Sequence, residues 1–571
     1  MGAFTKPAGL QLPSSICTTS SSRRLVTYRL VLLIFISFPL LLLNVFLPHP
    51  QLIDVIFLQT QSITSSFPSP SKVKPPIWLE VILRTHLNPK EPLKVGLVNF
   101  KDSEQSHLQL DGIIEYVTID FESVSPNVTW KKIFPGWINE MNPKEGRCPK
   151  TIPMPETGKY LELDVVVACL PCRNDLVKKG KLSHWEEGIR DVRRLQVSLA
   201  SARVVVDQNH GINKGNNDVY AVFITKCEPM VEIFRCDDLI WHRGEYWVYK
   251  PKVEKLKEVV SMPIGSCALA RPYARAQGST HLQNIDQLSK ELQMTSPPST
   301  NKPRHAYVTV LHSSEFYVCG AIALAQSILQ TNTTKDLVLL ADHTISKHSI
   351  QGLQAAGWKV RQIDRIRSPN SKVDSYNEWN YSKLSIDRFF DYPQLSAAPN
   401  NKWLFNSGIM LLEPSECFFD YLMSKRYTLK SYNGGDQGYL NEIITWWHRL
   451  TVKLNFMKYF PKELGDESRF IPKDQHTIHF LGMKPWSCYR DYDCNWHREE
   501  YHNFASDEVN ARWWQVYDEM PKELQYYCRM SEEADAKLRE FKALAEQEKL
   551  KDEHWRIEIK DPRQYNLVNY V

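Results

Sequence analysis

The chain has 571 residues and carries 70 Lys and Arg against 65 Asp and Glu, a net charge of +5. That length is enough for two or three domains, and so balanced a charge implies neither a nucleic-acid partner nor an acidic tail. The 16 Trp and 25 Tyr supply aromatic faces that suit sugar rings but serve equally well as core.

Residues 1–29 read as a short cytosolic tail. Leu30 to Leu47 (LVLLIFISFPLLLLNVFL) is apolar throughout and long enough to cross a bilayer, so a single transmembrane anchor is expected over 30–47. Arg23, Arg24 and Arg29 precede it, which orients everything beyond Pro48 to the lumen. A cleaved signal peptide fits less well, because the run is long and no small-residue cleavage pattern follows. Sequons at Asn127, Asn332 and Asn380 agree with a lumenal body.

Residues 48–90 are rich in Ser, Pro, Thr and Gln and read as a stem that cannot build a core. A smaller N-terminal α/β domain is expected over 91–270. Its strands fall at Lys94–Phe100, Gly112–Ile119 and Leu163–Ala168, a helix at Trp185–Leu199, and a return to strand at Ala202–Val206. Cys169-Leu-Pro-Cys172 has redox or zinc spacing, yet no second such pair exists, so a local or long-range disulfide is expected. Asp237 and Asp238 read as a turn carrying two solvated acids. A polar linker follows over 271–303.

The second domain, 304–505, opens with a buried strand at His305–Leu311 and a helix at Cys319–Gln330. Strands at Leu337–Leu340 and Lys359–Ile363 continue the alternation, which implies a parallel, Rossmann-like sheet. Cys488 and Cys494 are another candidate disulfide. Residues 506–571 are expected to form a helical extension, with an amphipathic helix over Ser531–Lys551 and Ser531 at its N-cap.

Chemistry is concentrated in the second domain. In His479-Phe-Leu-Gly-Met-Lys-Pro-Trp486 the imidazole can face a metal, Gly482 lets backbone approach an oxygen, and Lys484 supplies a mobile positive charge. Gly434-Gly-Asp-Gln-Gly438 reads as a turn that opens a helix, with Asp436 as its cap. These segments, with NEWNYSKLS at 377–385 and the FNSG at 405–408, resemble glycosyltransferase family 8, the glycogenin-like enzymes. The nearest likeness is to the plant branch that adds glucuronic acid to xylan.

That resemblance implies a GT-A (Rossmann-like) α/β fold and a retaining transfer of glucuronic acid from UDP-glucuronate to xylan at the Golgi membrane. It implies Mn²⁺ held through His479, and a diphosphate met by Gly482 and Lys484. Leu311, Ser313 and Tyr317 would hold uridine, while Lys383, Asn406, Asp436 and Gln437 would orient donor and acceptor. Association with other wall-polysaccharide enzymes is a further expectation. Arg361, Arg365 and Arg367 offer bidentate readers for the glucuronate carboxylate, although a solvated basic loop explains them as well.

One element of the family pattern is missing. Its members carry a helix and a buried strand ending in Asp-x-Asp after the Tyr-Ser-Lys-Leu segment, whereas here Lys383 is followed almost at once by Asp387. By mean element lengths the gap is on the order of twenty residues, and the metal-binding carboxylates go with it. Asp491-Tyr-Asp493 is no substitute, since it lies beyond the Lys-Pro-Trp segment between two cysteines. Loss of a central strand leaves unpaired backbone on its neighbours. A skipped exon or incomplete gene model accounts for this more simply than an enzyme built so. Two other readings stay open: a strand-less form that acts as a binding partner, and a related transferase with another UDP-sugar and acceptor.

Overall fold

A computed structural model describes residues 77–86, 92–100, 114–133, 152–160, 162–172, 190–208, 219–260, 305–388, 396–401, 403–450, 452–465, 469–473 and 475–563. The chain divides into units 1–70 and 71–571, and every described residue belongs to the second. The expected anchor at 30–47, most of the stem and the 271–303 linker lie outside the described residues. Within them, no helix is long and apolar enough to cross a membrane.

The N-terminal sheet comprises β1 (Leu93–Val98), β2 (Ile114–Ile119), β3 (Val165–Cys169), β4 (Tyr220–Ile224), β5 (Leu239–Arg243) and β6 (Tyr246–Tyr249), in the order β2-β1-β3-β4-β6-β5. The first four are parallel and β6 runs antiparallel to β4. A run such as Val165-Val-Val-Ala168 suits a strand buried on both faces. Helix α1 (Ile77–His86) covers one face through Trp78, Leu79 and Ile82, which join Val95, Leu97, Val165 and Val167. Helix α2 (Val192–Gln208) covers the other with Val98, Val166 and Ala168, and α3 (Val253–Val260) joins the same core through Leu256 and Val259.

Helix α2 corrects one expectation. Ala202–Val206 is not a strand but the continuation of the helix. No Gly or Pro separates it from Leu199, and Ala202, Val204 and Val205 are fully buried, so packing overrides the β-branched preference. Cys172 bonds Cys227, the long-range option, and Cys488 bonds Cys494.

The second region carries β7 (Ala306–Leu311), α4 (Val318–Leu329), β8 (Asp336–Ala341), α5 (Lys347–Ala355) and β9 (Lys359–Gln362). Its three strands are parallel in the order β7-β8-β9. A separate sheet, β11-β10-β12, is made from β10 (Ser396–Pro399), β11 (Phe405–Leu411) and β12 (His448–Arg449), with α6 (Glu416–Lys425) and α7 (Asp436–Ile443) packed on it. Among the described residues no ladder joins the two sheets. Strand β7 is therefore an edge, beside the 3₁₀ turn Asn380–Arg388, and Tyr307 on it is 44% exposed. The split falls where the sequence lacks its expected strand.

The two regions are bolted together. Cys236 bonds Cys417, Ser415 donates to Asp237 Oδ1 at 2.9 Å, and Lys255 pairs with Glu413 at 3.2 Å. Glu232 accepts from the Thr445 N–H at 3.1 Å and its hydroxyl at 2.8 Å. Of the two acids expected to be solvated, Asp237 is exposed, paired with Arg235 and accepting from Ser415, whereas Asp238 is buried.

The C-terminal extension is integral to the second region. Trp513 and Trp514 of α8 (Asp507–Glu519) enter the core of α4, β8 and α5, and Cys319 bonds Cys528. Helix α9 (Glu532–Glu548) is capped as expected, the Ala534 N–H donating to Ser531 Oγ at 3.1 Å. His554 locks the end, 2.8 Å from Asp507 and 2.9 Å from Asp552. Burial alone lowers its imidazole, but the two carboxylates override this and hold it at about 9. A folded-state value above the unfolded ~6.5 stabilises fully below that pH and is lost as pH rises through about 9. Between pH 6 and 9.5 the melting temperature should fall more steeply in the native chain than in His554→Gln; parallel profiles would contradict the lock.

Candidate active site

Strands β7, β8 and β9 are parallel and so bring their carboxyl ends to one edge of the sheet, the side on which open α/β sheets take ligands. Strand β7 ends at buried Leu311. The chain then turns sharply: Ser313 has φ +67°, and its N–H donates to Asp342 Oδ2 at 3.1 Å. Asp342 follows β8 directly and also accepts from the Thr344 N–H at 3.0 Å. Arg365, three residues beyond β9, pairs with Asp342 at 3.3 Å and lies 4.2 Å over the Trp379 ring. His312 sits among these groups; burial, then the Lys383 charge, lowers its imidazole.

A second group surrounds the start of α7. Lys383 Nζ lies 3.1 Å from Asp436 Oδ2, and the carboxylate is almost wholly buried. The helix cap is Gly435, with no side-chain cap, so the capping role expected of Asp436 is corrected. The 380–388 turn packs against α7 and brings the lysine ammonium to that carboxylate instead. Gln437 accepts from the Ser407 N–H at 3.3 Å and donates to the Tyr432 hydroxyl at 2.7 Å. A Cβ at Gly408 would stand 2.7 Å from Asn406 Oδ1 and 2.8 Å from His479 Cε1. Only glycine there lets Asn406 and His479 come together.

The third group is the loop after β13 (Phe456–Met457) and β14 (Ile478–His479), which pair in parallel. Gly482 has φ +73°, and a side chain there would collide with Asn495. Asn495 Oδ1 accepts from the Met483 N–H at 2.8 Å, while its Nδ2 donates to Asp493 Oδ1 at 2.7 Å. Asp493 also accepts from the Ser506 N–H at 2.8 Å and pairs with the fully buried Lys458. Removing one partner of such a pair strands a buried charge, at a cost of about 3–5 kcal/mol. Asp493 therefore braces the loop from outside. Lys484 Nζ donates to the Phe480 carbonyl at 2.5 Å, and burial, followed by the Lys458 charge, pulls its ammonium down to about 8. Trp486 donates to the Phe316 carbonyl at 2.8 Å with its ring 6.1 Å from Tyr317, tying this loop to the end of β7.

Of the expected site residues, Ser313 meets Asp342, Lys383 meets Asp436, Asn406 and His479 both flank Gly408, and the loop of Gly482 and Lys484 meets Tyr317 through Trp486. Arg361 is exposed on β9, and Arg367 is occupied by Glu378 at 2.9 Å. The Asn380 sequon is buried, its amide donating to Asn377 Oδ1 at 2.8 Å. Sequence reasoning missed His312, Asp342 and Asn495. Asp342 had a signal, one residue past the apolar strand LVLLA; Asn495 had none.

The metal expectation meets an unsuitable donor set. Burial, then Lys484 and Lys383, hold the His479 imidazole at about 4, so it is neutral at physiological pH. Its Nδ1 lies 3.2 Å from Asn455 Oδ1, and the charges that bear on it are both ammonium groups. Among the described residues the one trio at ligand spacing is Cys236, Asp237 and Cys417, whose cysteines are bonded to each other. Manganese prefers oxygen-rich, carboxylate-bearing sites. The described residues do not fit it.

Comparison with known proteins agrees with the site's sequence signature. The family model for the GUX1-5 N-terminal domain matches residues 71–267. UDP-glucuronate:xylan alpha-glucuronosyltransferase 2 of Arabidopsis thaliana is 42% identical over 529 positions, covering 86% of this chain and 84% of that protein. Those positions outnumber what 86% of 571 residues can fill, so the relative carries residues that this chain lacks. Glycogenin-1 of Homo sapiens is 27% identical over 37% of this chain and 71% of its own length. A crystal structure of the galactosyltransferase LgtC with donor and acceptor sugar analogs matches 39% of this chain and all of that one, at 14% identity and a TM-score of 0.27. The chain belongs to the UDP-glucuronate:xylan alpha-glucuronosyltransferase family, within the wider group that includes glycogenin.

Proposed function

We propose that this chain binds UDP-glucuronate and that its fold serves retaining transfer of glucuronic acid to xylan, with residues 30–47 anchoring it in the Golgi membrane. The carrying observation is the 42% identity to the Arabidopsis xylan enzyme, which extends over 86% of the chain. The geometry supports it. A departing UDP accumulates negative charge, and stabilising that charge is the main catalytic demand. Lys484 brings a cation to the braced loop where Gly482 leaves backbone open to an oxygen. Lys383 and Asp436 form a paired acid and base suited to sugar hydroxyls, with Asn406 and Gln437 beside them to orient donor and acceptor.

No step is routed through a metal, because the described donors do not suit one. Turnover in this family member would need the carboxylates of the missing strand. The open edge of β7 favours a second reading, in which this form holds the nucleotide or a sister enzyme without turning over.

Transfer from radiolabelled UDP-glucuronate to xylohexaose separates the two. With the missing segment restored from the Arabidopsis relative, transfer should appear, and the unaltered chain should be ~100-fold slower or worse. Inactivity of the restored chain on xylan would remove the donor and acceptor assignment; equal rates would remove the need for the strand. The Lys484 ammonium gives a pH signature. It is lost above about 8, so UDP affinity should fall several-fold from pH 7 to 9. Lys484→Arg should flatten that fall, since arginine keeps its charge; an unchanged fall would detach Lys484 from the diphosphate.

A further inference from the structure

UDP-glucuronate differs from UDP-glucose in one place: a carboxylate replaces the hydroxymethyl group of the ring. A site that selects the acid needs a fixed cation with a free hydrogen-bonding fork at the sugar end of the crevice. Planar guanidinium meets carboxylate with two parallel bonds, which a lysine point charge cannot do.

Three arginines lie on the segment after β8, and the structure separates them. Arg361 points outward from β9. Arg367 is exposed and spends its Nε on Glu378, which also receives the Asp374 N–H at 2.8 Å, an internal clamp of that loop. Arg365 is different. It is 23% exposed, and its Nε faces Asp342, a carboxylate with no exposed surface. Asp342 is itself pinned by the Ser313 and Thr344 N–H groups and the Thr344 hydroxyl at 2.5 Å. Trp379 closes the other side of the guanidinium, 4.2 Å from its centre. The arginine is therefore held at its inner nitrogen and its face. None of the hydrogen bonds among the described residues uses its terminal nitrogens.

Its position is that of a ligand-contacting group. His312, Asp342 and Arg365 follow the carboxyl ends of β7, β8 and β9 in turn, on the rim where such sheets take ligands. Lys383, Asp436 and Arg365 all bear on the same half-buried His312. The guanidinium thus shares one crevice with the lysine and aspartate assigned to the sugar.

We propose that Arg365, oriented by Asp342 and Trp379, reads the carboxylate of the donor's uronic acid ring and sets the preference for UDP-glucuronate over UDP-glucose. This rests on the donor reading given above. The test is competitive binding of the two nucleotide sugars to the full chain, in the native form, Arg365→Gln and Arg365→Lys. Arg365→Gln should lower the ratio of UDP-glucuronate to UDP-glucose affinity about tenfold or more, and Arg365→Lys should keep part of the preference. Equal loss for both sugars, or an unchanged ratio in Arg365→Gln, overturns the assignment. Should Arg365→Gln fail to fold, the lysine variant decides: a full native ratio there overturns the bidentate reading. A native chain that binds both sugars equally, or neither, instead overturns the donor reading itself.

Discussion

A parallel sheet passes its backbone hydrogen bonds from strand to strand, so a central strand cannot be removed without exposing two ladders. In this chain that constraint governs the architecture. Among the described residues, strands β7, β8 and β9 form one sheet and β10, β11 and β12 another, and β7 is an edge with a half-exposed tyrosine. An edge of this kind is a template for pairing with another chain unless something covers it. The three parallel strands still bring their carboxyl ends to one edge of the sheet, because they need only each other for their register.

The Gly482–Lys484 loop is braced from elsewhere. Its hold runs from Gly482 and Met483 through Asn495 to Asp493, and from there to buried Lys458 and to Ser506 at the start of α8. None of these contacts passes through the broken sheet. Trp486 then links the loop to the end of β7. The N-terminal sheet contributes by fixing the second region in place, through the Cys236–Cys417 bond and the Glu232 contacts to Thr445. The loop proposed to meet the nucleotide therefore depends on different elements of the fold from the strand that the sequence lacks.

Much of this was legible from the sequence, for identifiable reasons. Strands with unbroken apolar runs, such as β3 and β8, and the capped helix α9 were readable because local pattern and tertiary packing agree. The stretch Ala202–Val206 was misread because burial kept a β-branched run helical. The short strands β5 and β6 escaped because hairpin pairing, not periodicity, defines them. At the site, the glycine and lysine spacing singled out the Gly482–Lys484 loop, whose left-handed Gly482 the structure shows. The Asp493 brace and the Asp342–Arg365–Trp379 assembly did not show, since each joins residues far apart in sequence. Asp436 illustrates the limit most clearly. Its position at a helix start predicted a cap, and only the fold revealed the lysine that claims its carboxylate.

The central claim is that nucleotide holding and metal holding have been separated in this chain. Calorimetric titration of UDP into the full chain, once with Mn²⁺ and once with a chelator, tests it most directly. The account predicts measurable UDP binding that is the same under both conditions. Binding that appears only with Mn²⁺ would contradict it, because the metal would then have found carboxylates that the described fold does not bring to His479.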